Sequence, residues 1–199
     1  MSANVAIDAK STALLLIDLQ NFIFQGYLPA ASAPAVLERT KFLLAAARES
    51  GMLVVHVVVS YRPSHLEVSP RNKVFGALRA GRGLPAGSPQ VEIHPQVAPS
   101  GDEPVVVKHR VGAFAGTDLE TILRSSDIKT IMLAGIATSG AILSTVRYAF
   151  DIDYGIIVAK DCCADRDENV HRALMDVVFE QQAEVLTADQ IVGALRNGR

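Results

Sequence analysis

The chain has 199 residues, 49% of them hydrophobic, which is enough for one full core and too little for a comfortable second one. Its formal charge of −2 at pH 7 gives no basic excess that would suit nucleic acid or an anionic membrane surface. The N-terminus lacks a charged start followed by a long apolar stretch, and no later apolar run approaches the roughly 20 residues that cross a bilayer, so one cytoplasmic domain spanning residues 1–199 is expected.

Residues 12–17, Thr-Ala-Leu-Leu-Leu-Ile, form an apolar run that ends abruptly at Asp18, the pattern of a strand buried on both faces with an acid at its carboxyl end. Ser32 and Pro34 then offer a helix start. Val36, Leu37, Thr40, Leu43, Leu44 and Ala47 share one helical face before Gly51. A second apolar run, 52–59, completes a right-handed βαβ unit and encloses His56, which reads as a core histidine. Between 60 and 103 periodicity is weak and Gly, Pro and Arg recur, the composition of a functional loop, with a short helix expected near 74–79.

Alternation then resumes: strand 104–108, helix 118–125, strand 129–134, helix 140–151, strand 155–159, helix 168–179, strand 183–186 and helix 188–195. The expected fold is α/β, a three-layer doubly wound sheet of about six mostly parallel strands. No Gly-x-Gly-x-x-Gly or Walker pattern follows the first strand, and no cofactor is expected. Cys162 and Cys163 are adjacent, a spacing at which a mutual disulfide is strained. Small cysteines at a strand end are ordinarily packing residues.

Three stretches carry candidate chemistry. Asp18 ends a buried strand, where an ionised carboxylate is costly unless paired; the competing reading is a turn acid or helix cap. Lys108 ends the strand Pro-Val-Val-Val-Lys, and the two charges converge if their strands are parallel near neighbours; the competing reading is a surface lysine. The turn 135–141, Gly-Ile-Ala-Thr-Ser-Gly-Ala, leads from a strand into a helix, where backbone N–H groups stabilise a developing anion; alternatively Thr138 or Ser139 is simply the N-cap.

Together these stretches resemble the isochorismatase-like superfamily, also called cysteine hydrolases. Leu15-Leu-Ile-Asp-Leu-Gln-Asn21 is similar to its first-strand motif, and Lys108-His-Arg-Val-Gly-Ala-Phe114 to its lysine motif, with Gly112 where Ser or Asn is usual. Gly135-Ile-Ala-Thr-Ser-Gly-Ala141 is similar to the nucleophile turn Gly-x-x-Thr-x-x-Cys, and Asp161-Cys-Cys-Ala-Asp-Arg-Asp-Glu-Asn-Val-His171 to the stretch after the fifth strand. The resemblance spans about residues 12–190. It implies a small-molecule hydrolase with Asp18 and Lys108 as catalytic residues, a cis peptide at Ile136–Ala137, and a homo-oligomer.

One position departs from the pattern: Ala141 stands where the family's nucleophilic cysteine would be, and a methyl group forms no thioester. Isochorismatases proper carry Gly there and are understood to cleave a vinyl ether by proton transfer, so the resemblance still admits hydrolysis of a vinyl ether, amide or ester by an Asp/Lys pair. The alternative is a silent member that binds a ligand or assembles. The resemblance further places Gln20, Phe24, Phe114, Ile136, Ala137, Thr138, Ser139 and Gly140 around a small-molecule substrate. Arg62 is a candidate to meet a substrate carboxylate. No zinc site is expected, since Tyr61-Arg-Pro-Ser-His65 lacks an acid two residues before its histidine.

Overall fold

The structure, a computed structural model, describes residues 7–197. Strands β1 (Thr12–Ile17), β2 (Leu53–Val59), β3 (Val105–Lys108), β4 (Thr130–Ile136), β5 (Gly155–Ala164) and β6 (Glu184–Leu186) form one sheet in the order β3-β2-β1-β4-β5-β6. Every neighbouring pair is parallel. Helices α1 (Ala33–Glu49), α2 (Phe75–Ala80), α3 (Leu119–Ser125), α4 (Leu143–Asp151), α5 (Glu168–Ala173) and α6 (Ala188–Asn197) connect them. None among the described residues is long and apolar enough to cross a membrane.

Because strand side chains alternate between faces, the apolar runs of the strands feed two cores. Leu14, Leu16, Val54, Met132 and Ile157 pack with Leu43, Leu44 and Ala47 of α1 and Ile191 and Leu195 of α6. Ala13, Leu15, Ile17, Val55, Leu133 and Val158 pack on the opposite face with Leu119 and Leu123 of α3 and Val146 and Ala149 of α4. His56 is buried as expected, with Nε2 3.0 Å from Glu103 Oε2.

Beyond shifts of one or two residues at other element ends, three elements differ from the sequence reading. β5 runs five residues further, because Lys160-Asp161 marks no end: Asp161 accepts from Arg39 Nε at 2.7 Å and from the Ala188 N–H at 2.8 Å, and thereby caps α6. Cys162 and Cys163 consequently lie within the strand, on opposite cores, and not at its rim. The helix after β4 begins with a wider π turn, Thr138–Ile142, and α5 likewise widens at Leu174–Val178 before a short 3-10 turn, Phe179–Gln181.

The order in which strands are added reverses between β1 and β4, since β1 leads to β2 and β3 on one side while β4 leads to β5 and β6 on the other. The crevice outside the carboxyl ends of these strands is where open α/β sheets bind ligands.

Candidate active site

Asp18 leaves β1 with φ 55°, a left-handed conformation in which Asp is enriched among non-glycine residues, and its N–H donates to Val57 O at 2.8 Å. Lys108 ends β3, which is not beside β1 but two strands away. That separation is about 10 Å, which only a long side chain crosses. Lys108 Nζ reaches Asp18 Oδ2 at 2.8 Å and also donates to Arg110 O at 3.2 Å. Both residues are buried, at 6% and 2% exposure. Asp18 Oδ1 has no hydrogen-bond partner among the described residues. Burial raises the Asp18 pKa, against the opposing pull of the Lys108 ammonium.

The turn after β4 closes over this pair. Gly135 has φ 140°, and a Cβ there would stand 2.0 Å from Ile17 O, so only glycine lets β4 approach β1 where the turn begins. The Ile136–Ala137 peptide is cis, as the resemblance implies. Neither Thr138 nor Ser139 caps the helix by its side chain. Thr138 Oγ1 lies 2.8 Å from Nδ1 of His171, whose pKa burial lowers, and the Ser139 N–H donates to Asp165 Oδ2 at 2.7 Å. Thr145 Oγ1 donates to Ala141 O at 2.7 Å and accepts from the Ala113 N–H at 3.1 Å, tying the turn to the segment after Lys108.

A cavity of about 520 Å³ opens here, and Asp18, Lys108, Ile136, Ala137, Gly140 and Ala141 all line it. Ala141 presents its methyl group to the cavity. Neither cysteine is among the lining residues. Burial pushes the Cys163 thiol up to about 12 and the Cys162 thiol up as well.

The remaining expected residues stand elsewhere. Gln20 is fully buried and its amide is bonded entirely to backbone: Oε1 accepts from Val59 N–H at 2.8 Å, and Nε2 donates to Val59 O at 3.0 Å and Val91 O at 2.6 Å. It pins the long loop. Phe24 lies in a separate depression edge-on to His94, and Phe114 is a core residue stacked on Tyr148 with centroids 5.0 Å apart. Thr138 and Ser139 hold the turn from outside the cavity lining. Arg62 is exposed beside Glu67 and does not line the cavity. The cavity's arginine is Arg166, whose guanidinium lies 4.8 Å from the centre of the Tyr27 ring, another lining residue the sequence reading missed. Among the described residues no group of three or more His, Cys, Asp or Glu is placed to hold a metal ion.

The isochorismatase domain family matches residues 12–190. The chain belongs to the isochorismatase family. It is similar to the isochorismatase family protein YecD of Escherichia coli, itself without an assigned activity, at 32% identity covering 95% of this chain and 98% of that one. It is also similar to maleamate amidohydrolase of Pseudomonas putida, at 30% identity covering 94% and 88%. A cysteine hydrolase from Pseudomonas syringae pv. phaseolicola shares the fold over 100% of both chains, with a TM-score of 0.90 at 22% identity.

Proposed function

We propose that this isochorismatase-family protein is a small-molecule hydrolase in which Asp18 moves the proton, Lys108 holds Asp18, and water attacks in place of a cysteine. The observation that carries the reading is Asp18 Oδ1, a buried carboxylate oxygen without a partner among the described residues, on a residue that lines the cavity, while Oδ2 is held by Lys108. A carboxyl raised by burial transfers protons nearer neutral pH than an exposed one does.

For an amide or ester, Oδ1 takes a proton from water as the water oxygen bonds to the carbonyl carbon; the same proton then passes to the departing nitrogen or oxygen as its bond to carbon breaks. For a vinyl ether such as isochorismate, the protonated carboxyl gives its proton to the vinyl carbon, water adds to the resulting cation as the carboxylate takes a proton back from it, and the hemiketal collapses to a carbonyl and an alcohol. Both routes need only Asp18 and water, which fits the methyl of Ala141. The similarity to maleamate amidohydrolase supports the amide route. Arg166 supplies a cation beside the cavity for an acidic substrate.

The test is turnover of isochorismate, maleamate and simple esters by the purified protein and its Asp18→Asn variant. Loss of at least about 100-fold in the variant is expected. Equal rates sink the mechanism, and no turnover of any compound by either protein favours a ligand-binding role.

A further inference from the structure

Resting on that reading, we infer that the site takes substrates in which the hydrolysable group carries an extended apolar body, an alkyl chain or aromatic ring, and that segment 74–84 of the long loop selects them. Beyond the Asp18–Lys108 pair and Arg166, the lining is largely carbon: Phe22, Ile23, Val59 and Val111 come from near the strand ends, and Val74, Phe75, Leu78 and Leu84 from the loop. The two buried charges pair with each other through Asp18 Oδ2. A polar substrate body would leave its hydrogen-bonding groups against these side chains, which is unfavourable, whereas an apolar body is removed from water. The cavity's size is within the range of ordinary small-molecule sites.

The loop wall is preformed. Asn72 Oδ1 accepts from the N–H groups of Val74 at 3.0 Å and Phe75 at 2.9 Å, which starts α2, and Arg79 Nη1 donates to Val68 O at 2.6 Å. The Tyr61 N–H donates to Leu84 O at 3.0 Å, and the Ala86 N–H to Tyr61 O at 2.8 Å. Beneath the wall lies a small core of its own, Val59, Tyr61, Val68 and Phe75, against which Leu78 and Leu84 pack only in part. Val74 is 62% exposed. These three side chains therefore keep apolar surface that the fold itself does not cover.

Binding can be read without turnover. Dissociation constants of acetamide, butanamide, hexanamide and benzamide for the full chain, measured by ligand-observed NMR, are expected to tighten by about fourfold per added methylene. Val74→Asn and Leu78→Asn are each expected to flatten that dependence. Because Val74 is exposed, its variant should fold normally, and a circular dichroism melt checks this. Acetamide binding as tightly as hexanamide overturns the proposal. So does a chain-length dependence unchanged in both folded variants, or a Val74→Asn variant that loses only self-association, which would make the wall a contact between copies. If the dependence holds while neither these amides nor isochorismate, maleamate or a simple ester is hydrolysed, the hydrolase reading fails and only the pocket's selection of apolar ligands stands.

Discussion

Replacing Lys108 by Met removes the ammonium 2.8 Å from Asp18 Oδ2 and leaves the carboxyl in the same buried place. An ionised carboxylate abandoned in this way costs about 3–5 kcal/mol. The alternative is for Asp18 to stay protonated. Against an unfolded-state value near 3.9, holding the proton at pH 7 costs at most about 4 kcal/mol, and about 1.4 kcal/mol less for each pH unit below. The direction of the pH effect follows from proton counts. Asp18 is already raised in the parent, and removing the cation raises it further, so the folded variant holds more protons than its unfolded chain across a wider window. Stability therefore falls as pH rises from the unfolded value to the folded one, more steeply at neutral pH than in the parent.

Urea unfolding at pH 5, 6 and 7 measures this, provided the slopes m agree between proteins. Lys108→Met should lose most at pH 7 and markedly less at pH 5. The double variant Asp18→Asn/Lys108→Met has no buried charge at this place and should recover most of the loss with little pH dependence. Where turnover is measurable, the limb of kcat/KM due to Asp18 should move upward by about 1–3 pH units in Lys108→Met. A loss equal at pH 5 and pH 7, or a double variant no more stable than the single one, refutes the coupling.

Two further outcomes test the pocket and its scaffold. Ala141→Cys places a thiol on the cavity lining, and iodoacetamide should modify it at least about tenfold faster than Cys162 or Cys163, whose thiols burial holds protonated; a new thiol as inert as those two contradicts the placement. Gln20→Leu removes three hydrogen bonds and strands the buried Val59 N–H, so a loss of about 2–4 kcal/mol and new proteolytic cutting within 60–103 are expected; unchanged stability would show that the amide does not anchor the loop.

Much of the fold was legible because parallel strands buried on both faces cannot be disguised: the runs of Leu, Ile and Val in β1, β2, β4 and β5 became strands that split their side chains between two cores, while Val105 and Val107 of the edge strand β3 stay exposed. What periodicity does not carry is the partner of each strand. Convergence of Asp18 and Lys108 was legible only as a condition on where their strands lie; β2 stands between them and the lysine's length closes the gap. The end of β5 was misread for a related reason. Lys160 and Asp161 break the apolar run, but Asp161 is satisfied by Arg39 and the start of α6, contacts more than 25 residues away in the chain. That error hid Arg166. With the strand ending at 159, residue 166 falls late in the connection to the next helix; with the strand ending at Ala164, it lies at the carboxyl edge, where the cavity opens. Gln20 and Phe114 sit in or beside matching motifs and yet hold backbone and core, because a motif marks residues that must be present without saying which face the cavity.

The same contacts bear on whether a chain with Ala141 is a silent relative. The turn is held by Gly135 against Ile17, Ser139 against Asp165, Thr138 against His171, and the Ala141 carbonyl against Thr145. None of these involves the side chain at 141, so exchanging a thiol for a methyl removes a sulfur and leaves the pocket standing. The buried pair is a different matter. Replacing a buried ion pair with packed apolar residues is often neutral or stabilising, so packing alone gives no reason for Asp18 and Lys108 to occupy this place. Fold stability also gives no reason for one carboxylate oxygen to lie buried without a partner. An arrangement that the fold does not need, on residues lining a cavity of ligand size, favours proton transfer over a role that needs only the turn.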